Sequence, residues 1–215
     1  MHNISLPEPL KNSALLTFAP MQSAITAILR NAIATKEAVL ADSSLINRIE
    51  AAVDTICRAF QQKKKVLFCG NGGSAADAQH LAAEFSGRFY TDRHPLPSEA
   101  LHCNSSYMTA VANDYGFDVV YSRMVQAMGT AGDVLVSLST SGNSQNILKA
   151  MEMARELGMI NIGLTGSTGG KMKDLSDILL NIPSTDTPRI QESHITIGHI
   201  ICQLVEAELF KTEKS

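Results

Sequence analysis

Two residues able to handle metals and protons, His80 and Glu84, stand four apart in a stretch with helical patterning. That spacing is about 400° of helix rotation, so both side chains leave one face, one turn apart. An imidazole nitrogen and a carboxylate oxygen so placed suit a zinc ion, and equally make an ordinary surface pair. Further along, Gln191, Glu192, His194 and His199 crowd the last predicted helix. Relative to Gln191, His194 falls at about −60° and His199 at about +80°, so either could face a common centre and either could be core. His199 lies in the apolar run Ile197-Gly198-His199-Ile200-Ile201. A histidine there is either satisfied structurally or kept for function.

Two loops have the makings of an anion site. Asn71-Gly72-Gly73-Ser74 joins a strand to a helix. Its glycines let backbone approach a ligand, and the helix start offers free N–H groups, although many such turns are glycine-rich for steric reasons alone. Ser139-Thr140-Ser141-Gly142-Asn143-Ser144 places four hydroxyls in six residues at a second helix start. One N-cap, Ser144, needs only one of them, so a phosphate ester is the better account of the rest. Neither loop reads GxxxxGK[ST] or GxGxxG, which disfavours a triphosphatase and leaves dinucleotide binding unsupported.

The elements that must position these groups follow from patterning. Short buried-strand runs at Val66–Cys69, Asp133–Leu138 and Ile160–Leu164 each end in a tight polar loop and then a helix. Weaker strands are expected near Ser98–His102 and Ile178–Ile182. Strand, loop, helix, repeated, predicts an α/β three-layer sandwich with a mainly parallel sheet flanked by helices on both faces. Ligands in such sheets bind beyond the carboxyl ends of the strands, where both loops lie. Helices are expected over Met21–Leu40, from Ser43 or Ser44 as N-cap to about Gln61, and over about Arg189–Phe210. Met108–Met128 reads as helical around a turn at Asn113–Gly116, and Lys63, Lys64 and Lys65 as cations facing water at a helix end. Residues 1–18, with Pro7 and Pro9, read as irregular.

Composition narrows the class. With 18 Lys+Arg against 21 Asp+Glu and a net charge of −3, the chain has no basic excess to coat a nucleic acid. No apolar run approaches the ~18 residues of a membrane span, and no basic segment with an apolar core reads as a signal peptide. Cys57, Cys69, Cys103 and Cys202 are scattered without a CxxC, which reads as reduced thiols in a cytoplasmic protein.

Five stretches together carry a family resemblance: CGNGGSAADAQHLAAEFSGRF at Cys69–Phe89, ANDYGFDVVYSR at Ala112–Arg123, GDVLVSLSTSGNSQNILKAM at Gly132–Met151, LTGSTGGKM at Leu164–Met172 and RIQESHITIGHIICQLVE at Arg189–Glu206. The chain resembles the sugar isomerase (SIS) domain proteins and, within them, the phosphoheptose isomerases, over about residues 20–210. The resemblance implies one Zn²⁺ per subunit on His80, Glu84, Gln191 and His199, with Glu84 and His199 as the catalytic acid/base pair. It implies substrate contacts from Asn71, Gly72, Gly73, Glu84, Asn113, Asp114, Ser139, Thr140, Ser141, Ser144 and Gln191. It therefore selects His199 over His194, which is left to a structural role. A homotetramer with sites between subunits is implied as well, residues 1–62 forming a tail and helices for oligomer packing and residues 63–215 the SIS domain. One departure stands out: some members carry an acidic residue where this chain has Pro188. Asp186 is close by but shifted, and is given no role.

The activity implied is aldose–ketose isomerisation of D-sedoheptulose 7-phosphate and D-glycero-D-manno-heptose 7-phosphate. That reaction opens the route to bacterial ADP- or GDP-heptose precursors such as feed lipopolysaccharide. A carboxylate can carry a proton between neighbouring carbons, and an imidazole can move one between their oxygens. Two rivals are a non-catalytic SIS protein that binds the bacterial replication initiator and a sugar-phosphate sensor. The first lacks counterparts of Glu84 and His199, and the second has no use for His80, Glu84, Gln191 and His199 together.

Overall fold

The computed structural model describes residues 20–211. The expected irregularity of residues 1–18 lies outside the described residues. Five strands, β1 (Val66–Gly70), β2 (Ser98–Ala100), β3 (Val134–Leu138), β4 (Ile160–Thr165) and β5 (Ile178–Asn181), form one sheet in the order β2-β1-β3-β4-β5. Every neighbouring pair is parallel. The central strands β1 and β3 are buried along their whole length, which is why they read as near-continuous apolar runs, broken in β3 only by the small buried Ser137.

Among the described residues, seven α-helices surround the sheet: α1 (Met21–Ala41), α2 (Ser43–Gln61), α3 (Gly73–Ser86), α4 (Ser105–Tyr115), α5 (Val120–Met128), α6 (Gln145–Glu156) and α7 (Thr187–Leu209). Alternate strand residues divide the core. Val66, Phe68, Val134 and Val136 pack with α2, α3 and α7, through Ile56, Leu81, Phe85, Ile197 and Ile201. On the other face Leu67, Cys69 and Leu135 pack with α4, α5 and α6, through Val111, Tyr121, Val125 and Met151. The three-layer sandwich is therefore as the strand–loop–helix alternation predicts, with α1 as a helical extension that buries none of its residues.

Three local expectations need correction. The N-cap of α2 is Asp42, whose carboxylate accepts from Leu45 N at 2.9 Å, and Ser43 is already helical. Asn113 is not in a turn: α4 continues to Tyr115, and the break falls at Gly116, with φ +94°, before a 3₁₀ turn at Phe117–Val119. Lys65 is not a free surface cation, because its Nζ lies 2.5 Å from Oδ2 of Asp133, which is fully buried. That carboxylate also accepts from the backbone N–H groups of Lys65 and Thr130, tying the entries of β1 and β3 together. Burial alone would raise Asp133, but these donors outweigh it and hold its carboxyl below the usual range.

Candidate functional site

α3 and α7 lie side by side and run in the same direction, brought close by two glycines. A Cβ on Gly73 would stand 2.7 Å from Gln191 Nε2, and one on Gly198 would stand 2.5 Å from Leu81 Cδ1. With the helices this near, His80 and Glu84 on α3 meet His199 on α7. His80 Nε2 lies 3.0 Å from His199 Nε2 and 3.3 Å from Glu84 Oε1. One ligand atom from each of the three can be chosen so that all lie within 4.8 Å of one another. His80 is exposed, and Glu84 and His199 are half-buried. Two imidazole nitrogens and a carboxylate oxygen converging on one point fit a zinc ion. Asp77, one turn before His80, faces the same seam: burial raises its carboxyl, while His80 and His199 pull it down.

His194 turns away from this cluster. It is wholly buried and its Nε2 lies 3.1 Å from the carbonyl of Thr165, at the end of β4. Burial drives its pKa down to about 4, so the ring stays neutral. Gln191 also stands apart within the single chain. Its amide rests against Gly73, which is seven residues, about 10 Å of helix, before His80.

The two loops meet beyond the carboxyl ends of β1 and β3. Gly72, with φ +56°, turns the chain into α3, and Asn71 forms a reciprocal amide pair with buried Asn146, 2.9 Å each way. In the hydroxyl loop, Ser139 Oγ and Ser144 Oγ are 3.1 Å apart, and Ser141 Oγ accepts from Asn143 N. Gly142 is at φ +66° with Gly169 so close that no Cβ could fit. Thr140 and Ser141 line an open cleft of about 300 Å³ together with Ser167, Thr168, Ser184 and Thr187. Asn113 and Asp114, in the last turn of α4, are exposed and bond to each other at 2.9 Å. They sit on the opposite face of the sheet from the imidazole cluster.

Several of these residues escape sequence reasoning. Asn146 follows the hydroxyl loop by two positions, and only its burial marks it. The hydroxyls of Ser167 and Thr168 and those of Ser184, Thr185 and Thr187 form two short local groups, and only the fold brings both beside the Ser139–Ser144 loop.

A SIS domain family model matches residues 23–166. The chain is similar to a phosphoheptose isomerase of Aneurinibacillus thermoaerophilus, 52% identical over 193 residues, which cover 90% of this chain and 98% of that protein. It is also similar to a phosphoheptose isomerase of Clostridium acetobutylicum, 48% identical over 190 residues, 88% of this chain and 97% of the other. Among solved structures, the phosphoheptose isomerase of Neisseria gonorrhoeae superposes with a TM-score of 0.82 at 41% identity, covering 87% of this chain and 100% of that one.

Proposed function

This chain belongs to the SIS domain family and, within it, to the phosphoheptose isomerases, and on that premise we propose that it interconverts D-sedoheptulose 7-phosphate and D-glycero-D-manno-heptose 7-phosphate. The observation that carries the proposal is the convergence of His80, Glu84 and His199 within 4.8 Å from two separate helices. Moving a carbonyl between C2 and C1 requires a proton to leave one carbon, an enediol, and return of the proton to the neighbour. Glu84 takes that proton and gives it back, and His199 moves a proton between the two oxygens. The loop from Ser139 to Ser144, at the start of α6, holds the phosphate and so fixes the far end of the sugar. Asn71, Gly72 and Gly73 complete the sugar's contacts, to which the resemblance adds Asn113, Asp114 and Gln191, although in the single chain these lie away from the imidazole cluster.

The donor set supports a Zn²⁺ ion on His80, Glu84 and His199, which would supply Lewis acidity at the carbonyl, and the resemblance adds Gln191 as a fourth ligand. Since Gln191 lies beside Gly73 in the single chain, its part in that set depends on the assembled subunits. A homotetramer is supported by α1 and α2, the packing helices of residues 1–62. On α1, Ile25, Ile28, Leu29 and Ile33 are each more than half exposed along one helix. Among the described residues no helix is long and apolar enough to cross a membrane. We place the enzyme in the cytoplasm.

The deciding experiment incubates purified protein with sedoheptulose 7-phosphate and follows formation of an aldoheptose 7-phosphate. No product at any zinc loading would leave the non-catalytic, initiator-binding reading in its place.

A further inference from the structure

We propose that Arg93 and Glu206 are positioning residues, an ion pair that sets Glu84 and His199 in register across α3 and α7. The proposal rests on the roles given to Glu84 and His199 above. Arg93 Nε lies 3.0 Å from Glu206 Oε2, and the two side chains are only 2% and 5% exposed. A pair so buried loses hydration on the order of several kcal/mol per ion, and apolar residues of the same size often serve stability as well. Here apolar replacements would orphan the backbone groups that the pair satisfies, and it is where those groups lie that gives the pair a role beyond stability.

The Arg93 guanidinium donates to the carbonyls of Glu84 at 2.8 Å, Phe85 at 2.7 Å and Gly87 at 3.1 Å. These belong to the last turn and exit of α3, where carbonyls have no partner within the helix. Glu84 is thus held by its own peptide oxygen. On the other side, Glu206 accepts from the backbone N–H groups of Phe89, Tyr90 and Thr91 at 2.8–3.0 Å. Burial alone would raise its carboxyl, but these three N–H donors and Arg93 hold it down at about 2, so it stays charged.

Glu206 comes seven residues after His199 on α7, about 20° short of two full turns, so both leave the same face. The strap from Gly87 to Arg93 is therefore fastened beneath His199, and it lays the Phe89 ring 5.8 Å from the imidazole. One ion pair thereby fixes the backbone of the proposed base and the packing of the proposed shuttle. Displacing such groups by about 1 Å is enough to cost roughly a hundredfold in rate.

The test is the double variant Arg93→Met/Glu206→Leu, which removes both charges and strands neither. Two readouts are taken on the full-length protein: kcat and KM with sedoheptulose 7-phosphate, and the ring-proton NMR resonances of His199 with His194 as internal control. The expected result is kcat lowered at least about tenfold with KM within about threefold, some 1.4 kcal/mol placed in the barrier rather than in binding. The His199 resonances should move, and should do so in Phe89→Leu as well, while those of His194 stay. A folded double variant with wild-type kcat and unmoved His199 resonances overturns the proposal and leaves the pair a structural clamp. If wild-type protein shows no isomerase activity, the functional reading fails, and the His199 resonances alone decide this inference in the same two directions. Should the double variant not fold, Glu206→Gln, which keeps one acceptor oxygen, is judged by the same readouts.

Discussion

The α3–α7 seam and the hydroxyl loop are built on opposite principles. The seam joins His80 to His199 across 119 residues, and its reactive side chains bond chiefly to one another. Behind it, buried charges hold the backbone of the helices themselves. The loop draws its polar groups from six consecutive residues, whose side chains already bond within the loop and whose backbone is tied to neighbouring loops. The contrast has a chemical sense. Proton transfer needs side chains aimed at one point from separate supports, while holding a phosphate needs only donors along one bend of chain. The seam should therefore govern kcat and the loop KM.

The sharpest way to break this division is Glu84→Gln, which keeps shape but removes the proton carrier. Turnover should drop by roughly 10³-fold with substrate binding still measurable, and activity within tenfold of wild type would remove Glu84 from the mechanism. On α7, His199→Ala should lose bound zinc and activity together. His194→Ala should keep both and instead lose about 2–4 kcal/mol of stability, through the cavity left by a wholly buried ring and the loss of its bond to Thr165. Metal analysis and melting of the two purified proteins separate them, and the reverse pattern would mean that the site is misassigned on this helix.

Acid should weaken the supports before it disturbs the loop. His194 is held at about 4 against an ordinary 6.5, so the unfolded chain binds more protons between those values. Stability is therefore complete above pH 6.5 and falls as pH drops towards 4, by on the order of 3 kcal/mol. Glu206, at about 2 against 4.5, extends the loss from pH 4.5 downwards. Denaturant midpoints measured from pH 7 to pH 4 should show this slope in wild type and much less of it in His194→Gln; an equal slope in both would locate the titration elsewhere. The smallest effect belongs to the loop. Ser141→Ala should raise KM by about 3–10-fold with kcat little changed, the value of one hydrogen bond kept through the reaction. A fall in kcat alone would move Ser141 from anchoring to chemistry.

The sheet was legible because its signals are local. Val66–Cys69 and the run ending at Leu138 are almost wholly apolar segments closed by glycine or serine loops, and burial on both faces demands that pattern. The pairing of His80 with Glu84 was legible for the same reason, since four residues of helix fix their relation whatever surrounds them. The N-cap of α2 and the break after Tyr115 were misplaced by one or a few residues, where Asp42 and Gly116 outcompeted equally plausible neighbours. Lys65 looked like solvent-facing charge because its partner Asp133 is 68 residues away.

On its own, then, the chain's sequence determined the parallel architecture, the two loops at the strand ends and one half of the reactive cluster. Helical periodicity could not choose between His194 and His199, because their bearings from Gln191 differ without saying where the sheet lies. The resemblance selected His199, and tertiary structure alone shows what each ring faces: β4 presents the Thr165 carbonyl to His194, and α3 presents His80 to His199. It alone also joined Arg93 to Glu206 over 113 residues. Contacts of that separation depend on how whole helices pack, and side-chain spacing along one helix carries no record of which neighbour will face it.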